Sequence, residues 1–274
     1  ANTYKETDIC VSTYRPCYVS LVCKKVRGKL RVYVHITIEG LSKSKYDRFG
    51  NFKHTRGSGI VGCDIGTQTI AYTTETKAGL KNLAERGSSI EVNERKERLI
   101  YRAMDRSRRA MNPDNYNEDG TIKKGKKTWT YSNRYKKLRT KHTELCRINA
   151  TNRHLAINED VNELRSLGDV FVTEPKNAKK LQKRAKTGKR KKRFGRSIKN
   201  RCPGYFQSQA KRKFRIYVEV PNDYKASQYD HTSDTYIKKS LSQRMYRLSD
   251  GTMVQRDLYS SFLLYCIDLN TNKI

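Results

Sequence analysis

Three carboxylates in this sequence stand where an acid is either costly or aimed. Asp64 ends the apolar run "GIVGCD", Glu174 ends "DVFVTE" just ahead of Pro175, and Asp257 falls in the first turn of "QRDLYSSFLLYCIDL". An ionised carboxylate resists leaving water, so an acid at the end of a buried strand needs a compensating partner. Singly, each has an ordinary explanation: acids precede turns, and an acid in a helix's first turn complements the helix dipole. As a set they suit in-line attack of water on a phosphodiester. That reaction needs negative charge neutralised on both the entering and the leaving oxygen, which two divalent ions about 4 Å apart supply. Mg²⁺ or Mn²⁺ keeps several waters and takes only a few protein oxygens, so three acids suffice. Asp64 would bridge both ions while Glu174 and Asp257 each complete one, and the cut would leave a 5′-phosphate and a 3′-hydroxyl.

The elements that must position these acids can be read from periodicity. Residues 59–65 and 69–74 are β-branched runs around a tight polar turn, and 169–173 is another short buried-strand pattern. Helix-favouring sequence runs from Glu91 to about Ala110 and from about Tyr135 to Leu167, the second with Leu138, Leu145, Ile148, Leu155 and Leu164 at rough helical spacing. Between them "MNPDNYNEDGTIKKGKK" carries Pro113 and Gly120 in a polar loop, so residues 88–168 read as a helical arm. "CPGYFQSQAKRKF" reads as a Pro-initiated helix and "RIYVEVP" as a strand. In the last helix Leu258, Phe262, Tyr265 and Leu269 are expected on one apolar face. Near the start, 18–23 and 30–38 form a hairpin pattern. Val32, Val34, Ile36 and Ile38 alternate as a half-buried strand should, which predicts part of a small antiparallel barrel. Residues 41–58 read as a linker, and 222–256 as a polar, turn-rich insertion.

Charge narrows the partners. Lys and Arg number 59 against 27 Asp and Glu, a net charge of +32, which implies a polyanion such as nucleic acid. Residues 176–201 hold 14 Lys or Arg and no acid. Lys183, Arg184, Lys186, Lys189, Arg190, Lys191, Lys192, Arg193, Arg196 and Arg201 are the expected phosphate contacts there, joined by Arg106, Arg108 and Arg109 on the arm. A localisation tag is the other reading of this run, and a solvated helix face the other reading of the arm. No apolar run approaches the roughly 18 residues of a spanning helix, so no membrane partner is expected. Seven scattered cysteines without a C-x-x-C pair read as reduced thiols of a cytoplasmic protein, with no disulfide framework and no structural zinc.

"GIVGCDIGTQTIAY", "DVFVTEP" and "VQRDLYSSFLLY" resemble, in order, the three motifs of the RuvC nuclease domain in the TnpB family, the transposon-encoded relatives of type V CRISPR effectors. "RRAMNPDNYNEDGTIKKGKK", "LQKRAKTGKRKKRFG" and "KASQYDH" are similar to the family's clostridial-type members. The resemblance covers nearly the whole chain from about Tyr18. It implies an α/β, RNase H-like mixed sheet with a helical insertion, with Asp64 on the first central strand, Glu174 on the fourth and Asp257 on the last helix. It also implies that residues 1–58 belong to an oligonucleotide-binding barrel and 59–274 to the nuclease domain. The acids would hold two Mg²⁺ and cleave target DNA, directed by a guide RNA from the transposon end, in a bacterial, nucleoid-associated protein. Two departures from the family stand out. Residues 222–256 lack the four-cysteine zinc ribbon, so this loop is expected to be held by packing of Tyr229, Tyr236, Met245 and Tyr246. The N-terminal helical segment that inspects guide and target is also expected to be missing.

Two rival readings remain open. "DIGT" also marks the first phosphate loop of actin-like kinases, but no second D-x-G turn or Gly-Gly adenosine site follows. A catalytically weak or truncated nucleic-acid-binding relic or repressor of the same fold would share every basic feature.

Overall fold

The computed structural model describes residues 15–39, 46–83, 88–177, 195–221, 224–240 and 243–268, with side chains omitted at 88–91 and 195–197. Contacts divide the chain into two compact units, residues 1–43 with 88–152, and 44–87 with 153–274.

The second unit is built on a mixed sheet. Its strands are β3 (Ile60–Ile65), β4 (Thr69–Thr73), β5 (Ala78–Asn82), β6 (Val170–Thr173) and β7 (Ile216–Glu219), numbered after the β1 and β2 described below. Their order is β5-β4-β3-β6-β7. β3 pairs antiparallel with β4 but parallel with β6, and β6 runs parallel with β7. Alternation then sorts the side chains. Val61, Cys63, Ile65, Ile70 and Phe171 face one way. They meet Ile157, Val161 and Leu164 of α2 (Asn133–Arg165) and Phe206 and Ala210 of α4 (Pro203–Lys213). Val170, Val172 and Val220 face the other way, onto Leu263, Leu264 and Ile267 of the last helix, α5 (Arg256–Cys266). A short α3 (Gly195–Arg201) precedes α4.

α5 is seated by what the sheet lacks. A Cβ on Gly62 would meet Ser261 O and Tyr265 N, both within clashing distance. The helix therefore lies directly on bare β3 backbone, and its small Ser260 and Ser261 are fully buried against it. Ser261 Oγ and Thr73 Oγ1 share a hydrogen bond of 2.8 Å, tying the helix to β4. The sheet-facing stripe is thus Tyr259, Ser260, Ser261, Leu263 and Leu264, whereas Phe262 is exposed. This corrects the expected Leu258–Phe262–Tyr265 face, because small residues rather than large ones allow the close approach. Leu269 lies outside the described residues.

The polar insertion forms two small hairpins, β8–β9 (Tyr229–Asp230 with Thr235–Tyr236) and β10–β11 (Met245–Arg247 with Met253–Gln255). Tyr229 and Tyr236 pack ring to ring at 5.1 Å, and Tyr246 is buried against Tyr259, while Met245 is exposed. Unforeseen was Asp230, a buried carboxylate that accepts bonds from N–H and O–H of both Thr232 and Ser249. Burial alone would raise its pKa, but these donors outweigh that and hold it far below the usual carboxylate range.

In the first unit, β1 (Arg15–Val26) and β2 (Lys29–Glu39) pair as a long antiparallel hairpin, and α1 (Ser88–Met111) joins the N-terminal part of α2. Val32, Val34, Ile36 and Ile38 are exposed, so the expected half-buried face is uncovered among the described residues. Residues 46–52, expected as linker, form a small loop in which Tyr46 bridges to and stacks on Phe52 at 4.9 Å.

Gly62→Ala should lower unfolding free energy by about 2–3 kcal/mol or more in urea titration, the cost of overpacking against backbone that cannot move aside. Asp230→Ala should cost about 2–3 kcal/mol through its four orphaned donors. Because the Asp230 pKa is depressed, that contribution is present above its unfolded value near 4 and fades as pH falls below it, so the two proteins should converge in stability in strong acid.

Candidate active site

Two of the three acids come together by register. Cys63 pairs with Thr173 across parallel β3 and β6, so Asp64 and Glu174 are the next residues of adjacent strands. Neighbouring strands lie about 4.8 Å apart. Alternation places Asp64 on the Gly62 face, and Glu174 Oε1 accepts a 3.0 Å bond from the Ala226 N–H, which sits in the same α5-side layer. After β3 the chain turns towards β4, and the strand after β6 is β7 on the opposite side. The two carboxylates therefore occupy the C-terminal ends of strands at the sheet's switch point, where open α/β sheets bind ligands.

The pair is electrostatically strained. Burial, and then the charge of Asp64, push the Glu174 pKa above its ordinary value, against the opposing pull of Lys176 and the Ala226 N–H. Lys176, just after Glu174 and Pro175, donates to Asp64 Oδ1 at 2.6 Å and also to the Ile65 carbonyl. On β3, Cys63, the residue before Asp64, is fully buried in the core on the other face of the sheet. Burial and neighbouring Asp64 push its thiol well up, which makes it an inert core group.

Asp257 is placed differently. It begins α5, one turn before Ser261 and hence on the stripe that faces the sheet; Gln255 caps the helix by accepting from Leu258 N at 2.6 Å. Its carboxylate is taken up by two arginines: Arg256 donates to Oδ1 at 3.0 Å and Arg244 to Oδ2 at 3.1 Å. Among the described residues, the oxygens of Asp64, Glu174 and Asp257 are not all within 4.8 Å of one another; the three groups that are belong to Glu97, His142 and Cys146. Beside α5, Leu258, Tyr259 and Phe262 with His231 and Leu248 wall an open, mostly apolar cleft of about 420 Å³.

The basic residues divide as well. Lys183, Arg184, Lys186, Lys189, Arg190, Lys191, Lys192 and Arg193 lie outside the described residues, as does the side chain of Arg196. Arg201 ends α3. On α1, Arg106 is exposed, but Arg108 and Arg109 both bond Asp105, and their guanidinium groups lie over Trp129 and Tyr116. Those two arginines hold the 112–132 loop against the helix, together with Asn112, which bonds Thr130 through both its side-chain groups.

Sequence reasoning missed Lys176, Arg244 and Arg256. Each is a cation in a basic chain, and nothing in its spacing marks it as an acid's partner. Gly62 carried a signal, a glycine inside a buried strand, which marks close backbone approach.

Glu174→Gln keeps an acceptor for the Ala226 N–H while removing the charge. A raised carboxyl pKa penalises folding only above the unfolded value near 4.5. The variant should therefore melt higher than wild type at pH 7–8 and equally at pH 4, read by thermal melts without added metal.

No protein-family model and no curated protein sequence matches this chain. Among solved structures it is similar to a chain of the CRISPR–Cas12f ternary complex determined by cryo-EM, with 11% identity over 92% of this chain, 46% of that chain, and a TM-score of 0.42. The chain thus spans less than half the length of that neighbour.

Proposed function

We propose that this chain is a metal-dependent endonuclease of the RNase H-like class, acting on DNA with a guide RNA from a transposon end, as the TnpB-like motifs imply. The observation that carries it is the Asp64–Glu174 pair, two carboxylates side by side on parallel strand ends where one raises the pKa of the other. Buried carboxylates crowded so that one raises the pKa of another are candidates for a functional site. The five-strand order with a single antiparallel turn out of β3, and a final helix bearing Asp257 on the same face, fit the RNase H-like reading.

The donor set fits Mg²⁺ or Mn²⁺, which take hard oxygens. Asp64 and Glu174 would hold the ion, and Asp257 would join once Arg244 and Arg256 exchange its carboxylate for the nucleic-acid backbone. When bound, the ions supply charge neutralisation at the scissile phosphate. The chain's own groups do the rest. Lys176 leaves Asp64 for a phosphate, the arginines clamp the strand, and the exposed Phe262 and His231 offer faces on which a base can stack. Net charge +32 holds the nucleic acid without reading sequence, and base pairing with a guide supplies specificity.

One observation favours a second reading. Lys176, Arg244 and Arg256 already neutralise two of the three acids, as they would in a non-cleaving nucleic-acid binder.

Wild type should cut single-stranded DNA with Mg²⁺ or Mn²⁺ and stop on chelation, and Asp64→Ala should lose at least about 1,000-fold in rate. Sequencing RNA that co-purifies should return a transposon-end species. Equal cutting by both proteins would end the nuclease reading, and no cutting by wild type with tight DNA binding would favour the binder.

A further inference from the structure

The arm unit has almost no apolar core. Among its described residues Met104 is the only buried hydrophobic one, and the buried polar residues are Asn112 and Asn149. Small units without a core need staples. α1 and α2 run antiparallel and are joined by a ladder of polar contacts: Asn93 Nδ2 to Asn149 Oδ1 at 2.8 Å, the Tyr101 ring against His142, and the Ser107 and Ser132 hydroxyls at 2.8 Å. In the middle of that ladder stand Glu97 on α1 and His142 and Cys146 on α2. The last two are four apart and so share one helix face.

One donor atom from each lies close enough to the other two to share an ion. Glu97 Oε1 is 3.5 Å from His142 Nε2 and 3.8 Å from Cys146 Sγ, and Sγ is 3.8 Å from Nε2. A tetrahedral ion with bonds of about 2.3 Å to sulfur and 2.0–2.1 Å to nitrogen and oxygen requires ligand atoms about 3.3–3.6 Å apart. The observed separations exceed these by at most a few tenths of an ångström, but Sγ is also 3.9 Å from His142 Nδ1, so the imidazole must turn about its Cβ–Cγ bond to aim Nε2 at the ion. The His142 and Glu97 side chains keep 22% and 20% of their surface exposed, which leaves a fourth position open to water.

We propose that Glu97, His142 and Cys146 bind one thiophilic divalent cation of the zinc class, and that this ion clamps α1 to α2. A thiolate and an imidazole select Zn²⁺ or Co²⁺ over Mg²⁺, so this centre is chemically separate from the all-carboxylate one. Binding displaces the thiol proton and converts hydrogen bonds into metal bonds, adding to the stability of a unit with little apolar burial.

The test uses the full chain, metal-stripped and reduced, titrated with Co²⁺ as an optical probe. Wild type should bind one equivalent with a thiolate-to-cobalt charge-transfer band and tetrahedral ligand-field bands, unaffected by excess Mg²⁺. Asp64→Ala should give the same spectrum, which separates this centre from the nuclease proposal. Cys146→Ser should lose the charge-transfer band, and His142→Ala should weaken binding by at least about 100-fold, beyond what loss of an outer-shell partner costs. Glu97→Gln, which preserves size and a hydrogen-bonding oxygen, should weaken it about 10-fold or more. It serves as the independent variant if circular dichroism shows Cys146→Ser unfolded without metal. No thiolate band in wild type would leave only a hydrogen-bonded Glu–Cys–His network, and bands unchanged in Cys146→Ser and His142→Ala would put the ion on other cysteines; either result overturns the proposal.

Discussion

The architecture of the second unit depends on one absence, the missing side chain at Gly62. Because nothing projects from β3 there, α5 lies on the strand's backbone, with Ser260 and Ser261 buried and Ser261 hydrogen-bonded to Thr73. That contact sets the height and the position of the helix. It therefore also sets where the first turn of the helix, which carries Asp257, stands along the sheet face of Asp64. A methyl group at residue 62 would lift the whole helix, because its neighbours there are main-chain atoms that cannot rotate away.

On this frame the protein carries an electrostatic conflict. Parallel register forces Asp64 and Glu174 into neighbouring positions, and burial raises the proton affinity of Glu174 further. The rest of the chain answers with cations: Lys176 on Asp64, Arg244 and Arg256 on Asp257. Such pairs offset charge in the free protein, and each of those cations is also a natural partner for phosphate. On the nuclease reading proposed above, basic side chains that guard the acids until a polyanion draws them off would couple nucleic-acid binding to exposure of a metal centre. Asp230 shows the opposite solution in the same unit. Its charge is stabilised by four local donors, and it holds two hairpins in place.

Much of this was legible beforehand. The strands at Asp64 and Glu174 announced themselves as short apolar runs ended by an acid and a turn, and both long helices were readable from composition and from the break at Pro113. What failed had physical causes. The α5 face was misassigned because hydrophobicity weights Leu258 and Phe262 above two serines, while the packing rewards small residues over a glycine. The alternation of Val32, Val34, Ile36 and Ile38 reported a strand correctly but not what covers it, since a pattern carries no information about the partner. Composition also does not reveal that Arg108 and Arg109, expected at phosphates, engage their local Asp105 and the rings of Trp129 and Tyr116. His142 and Cys146 share a helix face at readable spacing, but Glu97 comes from another helix, and only the fold brings it to them.

The central claim is that the Asp64–Glu174 edge is a divalent-cation site and not merely an ion-paired corner of the fold. Diffraction from crystals equilibrated with Mn²⁺, measured at the manganese edge, tests it most directly. An anomalous peak is expected between those two carboxylates, with the Lys176 ammonium withdrawn from Asp64. No peak there at Mn²⁺ concentrations that saturate any measured cleavage, with Lys176 still on Asp64, would contradict it.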